Sequence, residues 1–325
     1  MCIRIMITTN LTSAKTALDA HEIIAIPTET VYGLAGNAYE EIAVNQIFAL
    51  KNRPLYNPLI VHIKSIEFLG QVAREIPPLA YQLAEAFWPG PLTLVLKKQA
   101  HIPDLVTAGK DTVAIRMPNH PLTLSLLQQI DYPLAAPSAN PFGSISPTTA
   151  QHVATYFNEK LAVILDGGTC EKGIESTIIG FEDENPVLYR LGSLSIEEIE
   201  AQIGPLLKHN HTSTQDPIAP GMLARHYAPK TTTYLTEDVN ELIQNFSSQK
   251  IGLLLFQHSI QSATIAHEEV LSSTGNFNEA AHNLYAAMHR LDRLNLDLII
   301  AEKLPDIGLG KTMNDKLERA TKKVE

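Results

Sequence analysis

Residues 51–62 read KNRPLYNPLIVH, and this stretch decides how the N-terminal part of the chain is built. Apolar spacing over Glu41–Leu50 predicts a helix. Pro54 forbids its continuation, because proline lacks an N–H and clashes with the preceding turn. Leu59–Ile63 is then a short apolar run with one histidine within it, the pattern of a buried strand. Lys51 and Arg53 stand where the helix runs out, which complements its dipole. They also supply a point charge and a planar fork, the pair that grips phosphate groups. His62 alone reads as a core histidine; beside these cations a ligand role is equally open.

The same alternation continues outward. Strands are predicted at Glu22–Ile26, Leu92–Leu96, Val113–Met117, Pro133–Ala136, Leu161–Leu165, Ser176–Phe181 and Val187–Arg190. Helical spacing marks Leu79–Trp88, Leu122–Ile130 and Thr148–Phe157. The fold class is therefore α/β, with layered helices and sheet over residues 1–205. Residues 209–217 (HNHTSTQDP) are polar and aperiodic and 219–229 (APGMLARHYAP) irregular, so 206–230 is expected to be a linker. A smaller α/β unit is expected over 231–325. Its strands are Ile251–Phe256 and Leu298–Ala301; one helix carries Leu284, Met288, Leu291 and Leu294 on one side, and another spans Asn314–Thr321. Gly308-Leu309-Gly310-Lys311-Thr312 looks like the end of a P-loop, but Pro305 occupies the position of the required glycine. A tight turn before a helix is the better reading.

Composition narrows the class. The chain has 325 residues, 45% hydrophobic and 18% charged, which excludes disorder and small disulfide scaffolds. Its length suits two domains, since single cores stop growing near about 250–300 residues. Two cysteines are too few for a disulfide framework or a zinc site. With no apolar run of membrane-span length and no signal-peptide pattern in Met1–Asn10, a soluble cytoplasmic protein without membrane contact is expected. The net charge of -10 argues against a global nucleic-acid field, while a local basic pocket for a phosphate ligand remains open.

No GxSxG, HExxH, paired CxxC or GxGxxG occurs. Polar residues gather instead at strand ends. Thr28, Glu29, Thr30 and Tyr32 lie in PTETVYGL, either as a capped loop or facing a ligand. Ser146-Pro147 gives an N-cap and a first-turn proline, a natural anion site or an ordinary junction. Arg116, in an apolar strand, needs a partner or a ligand carboxylate. With Asp166-Gly167-Gly168, Glu175-Ser176-Thr177 and Arg190-Leu191-Gly192, these residues describe a cleft of cations and hydroxyls without a nucleophile–base pair. Such a cleft works by positioning and charge stabilisation, as phosphoryl-type transfers do.

PTETVYGL (27–34), KNRPLYNPLIVH (51–62), FWPGPLTLVL (87–96), TVAIRMP (112–118), APSANPFGSISPT (136–148) and DGGTCEKGIESTII (166–179) together resemble the YrdC-type threonylcarbamoyl-AMP synthase family. PGMLARHYAP (220–229) and residues 301–320 resemble its long, two-domain members. The resemblance implies a twisted mixed sheet with surrounding helices, plus a smaller Rossmann-like C-terminal domain. It implies a nucleotidyltransferase that makes L-threonylcarbamoyl-AMP and pyrophosphate from L-threonine, bicarbonate or CO2, and ATP with Mg²⁺. The product would feed tRNA threonylcarbamoyladenosine through separate transferase proteins. Carried over by residue, Thr30, His62, Arg116, Ala136 (by its backbone) and Ser176 hold threonine. Arg53, Asn57, Thr112, Ser138, Ser146 and Arg190 hold ATP, with Lys51 near the phosphates, so that Lys51 and Arg53 are the catalytic pair. Asn140 adds a polar contact, and His226 and Tyr227 close over the nucleotide. Asn52 stands where the family commonly has glycine, and Leu191 where proline usually follows the arginine. Two other readings compete. A non-catalytic double-stranded RNA-binding module is opposed by the acidic total. A carbamoyl-transfer maturation enzyme is opposed by the missing length and cysteines.

Overall fold

Short apolar runs bounded by proline and glycine do become strands, and the amphipathic stretches between them become helices. The computed structural model describes residues 6–157, 160–208, 219, 226–260 and 265–321; most of the expected linker, 209–218 and 220–225, lies outside the described residues. The first sheet is built from β1 (Met6–Thr8), β2 (Ile24–Ile26), β3 (Gly33–Asn37), β4 (Ile60–His62), β5 (Leu92–Lys97), β6 (Thr112–Arg116), β7 (Leu134–Ala135), β8 (Val163–Leu165), β9 (Thr177–Glu182), β10 (Asn185–Arg190) and β11 (Leu207–Lys208). Their order is β1-β8-β2-β3-β7-β4-β6-β5-β9-β10-β11, with parallel and antiparallel neighbours. Helices α1 (Leu11–Asp19), α2 (Glu41–Lys51), α3 (Leu69–Val72), α4 (Pro78–Phe87), α5 (Asp104–Thr107), α6 (Pro121–Gln128), α7 (Ala150–Phe157) and α8 (Ile196–Ile203) accompany it. The second sheet has β12 (Thr232–Thr236), β13 (Ile251–Leu255), β14 (Ile265–Val270) and β15 (Leu298–Glu302), all parallel in the order β12-β15-β13-β14. With it go α9 (Val239–Asn245), α10 (Phe277–Leu291) and α11 (Leu309–Ala320). No helix among the described residues is long and apolar enough to cross a membrane.

The core of the large sheet shows why the strands hold. Helix α2 buries Val44, Ile47 and Phe48 in one cluster with Leu59, Val61, Leu94 and Ile115. Each such side chain contributes roughly 1.5–3 kcal/mol. Its C-terminus closes at Asn52, which adopts the left-handed conformation at φ 51°, while the Arg53 N–H donates to the Phe48 carbonyl at 3.0 Å. Asparagine tolerates that conformation, so the glycine common in the family is not needed.

Register then positions the chemistry. Strands β4 and β6 run parallel with His62 opposite Arg116 and Ile60 opposite Ala114. Alternation sends Ile60, His62, Ala114 and Arg116 to one face. On that face Ile60, Val95, Ala114 and Ile178 form a buried cluster with Ala219, itself 0% exposed.

Some expectations needed revision. The segment Gly33–Asn37 is a strand paired with β2 and β7, although its small residues carry no strand signal. Helix α10 ends at Leu291, leaving Leu294 beyond it and 37% exposed. Helix α11 starts at Leu309, five residues before the expected start, so Lys311 and Thr312 lie in its first turn. Lys311 pairs with Glu197 at 2.7 Å and the Thr312 hydroxyl donates to the Gly192 carbonyl at 3.0 Å, so the P-loop-like stretch is a docking contact. The loop before β9 and helix α10 meet closely at Gly173. Its φ is +73°, and a Cβ there would lie 2.4 Å from the His282 carbonyl oxygen.

Candidate functional site

One cavity opens over the His62–Arg116 register pair. Thr30, His62, Arg116, Ala136 and Ser176 line it, and so do Arg53, Ser138, Arg190, His226 and Tyr227. Burial and the neighbouring Arg116 charge push the His62 imidazole down to about 3, so the ring is neutral. Arg116 donates through Nη1 to the Thr30 hydroxyl at 2.9 Å and through Nε to the Gly90 carbonyl at 3.2 Å. Its Nη2 lies 2.7 Å from Glu29 Oε2, with the two side chains only 4% and 2% exposed. That ion pair is not aligned as a hydrogen bond: Nη2 and Glu29 Oε1 both remain without hydrogen-bond partners. Arg116 is thus charge-compensated by Glu29 while its guanidinium still borders the cavity. The Ala136 N–H is used by the Ile60 carbonyl at 2.9 Å.

Two further guanidiniums stand at the other end. Arg53 spends Nε on the Asn57 carbonyl (3.1 Å) and Nη2 on Asn57 Oδ1 and the Pro58 carbonyl (both 2.7 Å). Burial and the nearby Arg190 push it down to about 9, still protonated at neutral pH. Arg190 donates to the Ser176 carbonyl from Nε (3.1 Å) and Nη2 (2.8 Å), and from Nη2 to the Ser176 hydroxyl (3.0 Å). That hydroxyl also shares a 2.7 Å hydrogen bond with Thr93.

Five expected residues do not line the cavity. Lys51 is 1% exposed and donates its ammonium to the Ser138 and Asn140 carbonyls, both at 2.5 Å; burial and Arg53 lower its pKa well below the usual lysine range. Its amine therefore ties down the 138–140 loop. Asn57 stands behind Arg53, and Asn140 bridges the Pro141 (2.9 Å) and Ser144 (2.8 Å) carbonyls. Ser146 donates to Glu175 Oε1 at 2.6 Å. Thr112 sits farthest away, in a groove with Val95, Lys97 and Phe181. Four residues of extended strand separate it from Arg116, about 13 Å.

The roof comes from the chain between the sheets. The His226 N–H donates to the Arg319 carbonyl of α11 at 3.0 Å, and the Ala228 N–H to the Gly143 carbonyl at 2.8 Å. The Tyr227 ring stacks on Tyr285 of α10, centroids 5.7 Å apart, and Lys316 Nζ lies 5.0 Å over it. Burial, reinforced by Arg53, Lys51, Lys316 and Arg190, holds His226 neutral. Burial also raises the Tyr227 phenol, so it keeps its proton.

Nine buried side-chain polar atoms lack a partner among the described residues; six sit on Asn57, His62, Arg116, Asn140, His226 and Tyr227. Buried polar atoms are nearly always satisfied, so such a cluster marks where a polar ligand completes the bonding. The sequence reading placed Glu175 at the cleft but gave it no role, and it missed the Glu29–Arg116 pairing. A carboxylate at the entrance of an apolar strand was the available signal for Glu175. The buried Cys170 thiol is raised by burial and is no nucleophile.

Similarity to known proteins agrees with this geometry. A family profile described as "Telomere recombination" (Sua5, YciO and YrdC) matches residues 16–192, and one described as "Threonylcarbamoyl-AMP synthase, C-terminal domain" matches 194–321. The threonylcarbamoyl-AMP synthase of Pyrococcus abyssi is 43% identical over 313 residues, covering 92% of this chain and 90% of that protein. Its counterpart in Bacillus subtilis is 40% identical over 319 residues, covering 95% and 92%. The crystal structure of P. abyssi Sua5 complexed with L-threonine matches with a TM-score of 0.90 at 40% identity, covering 99% of both chains. The chain belongs to the Sua5–YciO–YrdC family, in the two-domain form of the threonylcarbamoyl-AMP synthases.

Proposed function

We infer that this protein condenses L-threonine, bicarbonate or CO2, and ATP into L-threonylcarbamoyl-AMP, releasing pyrophosphate. The observation that carries the reading is a single cavity in which His62 and Arg116 stand under the same roof as Arg53, Ser138 and Arg190. An amino acid and a nucleotide would lie side by side there.

Threonine's carboxylate would approach the Arg116 guanidinium from the cavity, with Thr30 and the neutral His62 beside it and Ser176 and the Ala136 backbone completing the pocket. A desolvated cleft favours the neutral amine. Its nitrogen attacks CO2 and loses a proton, giving a carbamate. A carbamate oxygen then attacks the α-phosphorus of ATP, and the bond to the bridging oxygen breaks as pyrophosphate leaves. Arg53 and Arg190 would offset charge on the phosphates. Asn57 would hold Arg53 in place, while Lys51 and Asn140 would act by holding the loop that presents Ser138. His226 and Tyr227 would shield the adduct from water. Thr112 would contribute only if the nucleotide reaches along β6. Among the described residues no group of three or more His, Cys, Asp or Glu gathers as a metal site, so Mg²⁺ would arrive with the triphosphate.

The product, a reactive mixed anhydride, would pass to separate transferase proteins that modify a tRNA adenosine. A duplex-RNA platform is disfavoured by the net charge of -10. Mass spectrometry of the product from ATP, ¹³C-bicarbonate and threonine tests the assignment. A labelled threonylcarbamoyl-AMP is expected; AMP or ADP alone would refute it.

A further inference from the structure

Helix α11 buries the ammonium of Lys316, 1% exposed, between the two units. Nζ donates to the Leu191 carbonyl at 2.9 Å and lies 5.0 Å over the Tyr227 ring. Leu191 directly follows Arg190 at the end of β10, and Arg190 and Tyr227 both line the cavity. One cation of the C-terminal unit therefore holds both the strand end that carries Arg190 and the ring that roofs the cavity.

The roof needs such support. Tyr227 adopts φ +63°, a left-handed conformation that a bulky side chain does not choose by itself. Its hydroxyl has no hydrogen-bond partner among the described residues, so the ring is held by what packs on it, His226, Tyr285 and Lys316 among them. Charges surround the ammonium on every side. Asp315 Oδ2 lies 3.7 Å away on the same helix, where Arg319 also pairs with Asp315 at 2.8 Å. Glu175, whose Oε2 accepts the Tyr285 hydroxyl at 2.7 Å, acts on Lys316 from the loop before β9, and Arg190 acts from β10. His226, held neutral, stands beside the ring. Burial outweighs the two carboxylates and pushes Lys316 down to about 8. Burying a cation is costly, and an apolar side chain would pack the two units equally well. What an apolar chain cannot supply is attraction for an aromatic face together with a charged donor for a carbonyl.

We propose that Lys316 is a positioning residue: its ammonium charge, supplied by the C-terminal unit, seats Tyr227 over the cavity and pins the strand end that carries Arg190. This rests on the synthase reading above and deepens it.

Lys316→Met keeps the stem and removes the charge. At pH 7 and subsaturating ATP, where the rate reports the enzyme before nucleotide binds, threonylcarbamoyl-AMP formation is expected to fall about tenfold, the scale of a desolvated cation–π contact with a charged hydrogen bond. The deficit should shrink to about twofold at pH 9, because most of the unmodified protein has by then lost the same charge. Arg53, lowered to about 9, titrates in both proteins and cancels in their ratio. A packing role alone gives a ratio that does not change with pH. That result, or a rate within twofold of the unmodified protein at pH 7, would overturn the proposal. Lys316→Arg stays charged throughout, so it should lose less of its own pH 7 rate at pH 9 than the unmodified protein does. An equal loss would count against the charge even where the methionine variant fails to fold. If the unmodified protein forms no threonylcarbamoyl-AMP at either pH, the synthase reading itself fails; product formed with an unchanging ratio sinks the lysine proposal alone.

Discussion

The two sheets make an instructive contrast. The small sheet is wholly parallel, and in open α/β sheets ligands bind beyond the carboxyl ends of the strands. A groove does lie there, lined by Glu237, Phe256, His258, Glu302 and Lys303. Yet its polar groups satisfy one another: Lys303 pairs with Glu237 at 2.8 Å, and Glu302 Oε2 accepts the Phe256 N–H at 2.7 Å. The large sheet is mixed and less regular, but it buries guanidiniums and imidazoles whose bonding the chain leaves incomplete. Topology would choose the small sheet and unfinished hydrogen bonding chooses the large one. Function follows the second criterion, because fold alone does not specify a site.

The sharpest way to break this contrast is Arg53→Ala, which removes a buried charge proposed to face the phosphates. Pyrophosphate release dependent on threonine and bicarbonate should fall by about a hundredfold or more; near-normal turnover would leave the large sheet no better qualified than the small one. Next comes Arg116→Gln, which should raise the threonine KM by roughly tenfold to a hundredfold with a smaller change in kcat, read by initial rates at saturating ATP. A gentler effect concerns pH. His62 and His152 are held down to about 3 and His289 to about 4, each chiefly by burial, against an ordinary value of 6.5. Between these values the unfolded chain binds protons that the folded one refuses, so the stability is whole above about 6.5 and is lost as pH falls. Urea midpoints should be flat from pH 8 to 7 and decline towards pH 5, less steeply in His152→Asn. Smallest of all, Glu237→Gln breaks an exposed pair and should leave turnover and urea midpoint unchanged within error. A clear loss of activity there would make the small-sheet groove a second functional site.

Strands dominated by apolar residues, such as Ile60–His62 and Leu92–Lys97, were legible in the sequence because burial leaves a local mark. Of the residues expected at the site, His62, Arg116, His226 and Tyr227 do line the cavity, whereas Asn57 and Asn140 stand behind it. Gly33–Asn37 was not legible, since a strand made of Gly, Leu, Ala, Gly and Asn owes its form to neighbours on both sides. Pairings such as Arg116 with Glu29, or Glu175 with Tyr285, join residues 87 and 110 positions apart and leave no periodic trace. Lys51 was identifiable as a cation where a helix ends; that it serves two backbone carbonyls depends on a loop whose path only the tertiary structure reveals.

The close approach at Gly173 has a practical consequence. Backbone rests on backbone there, with no side chain as a spacer, so the smallest branch the genetic code offers is already a wedge. Gly173→Ala therefore provides a lever for prying the helical cap from the catalytic half while every ionisable group stays in place, separating what contact between the halves contributes from what chemistry does.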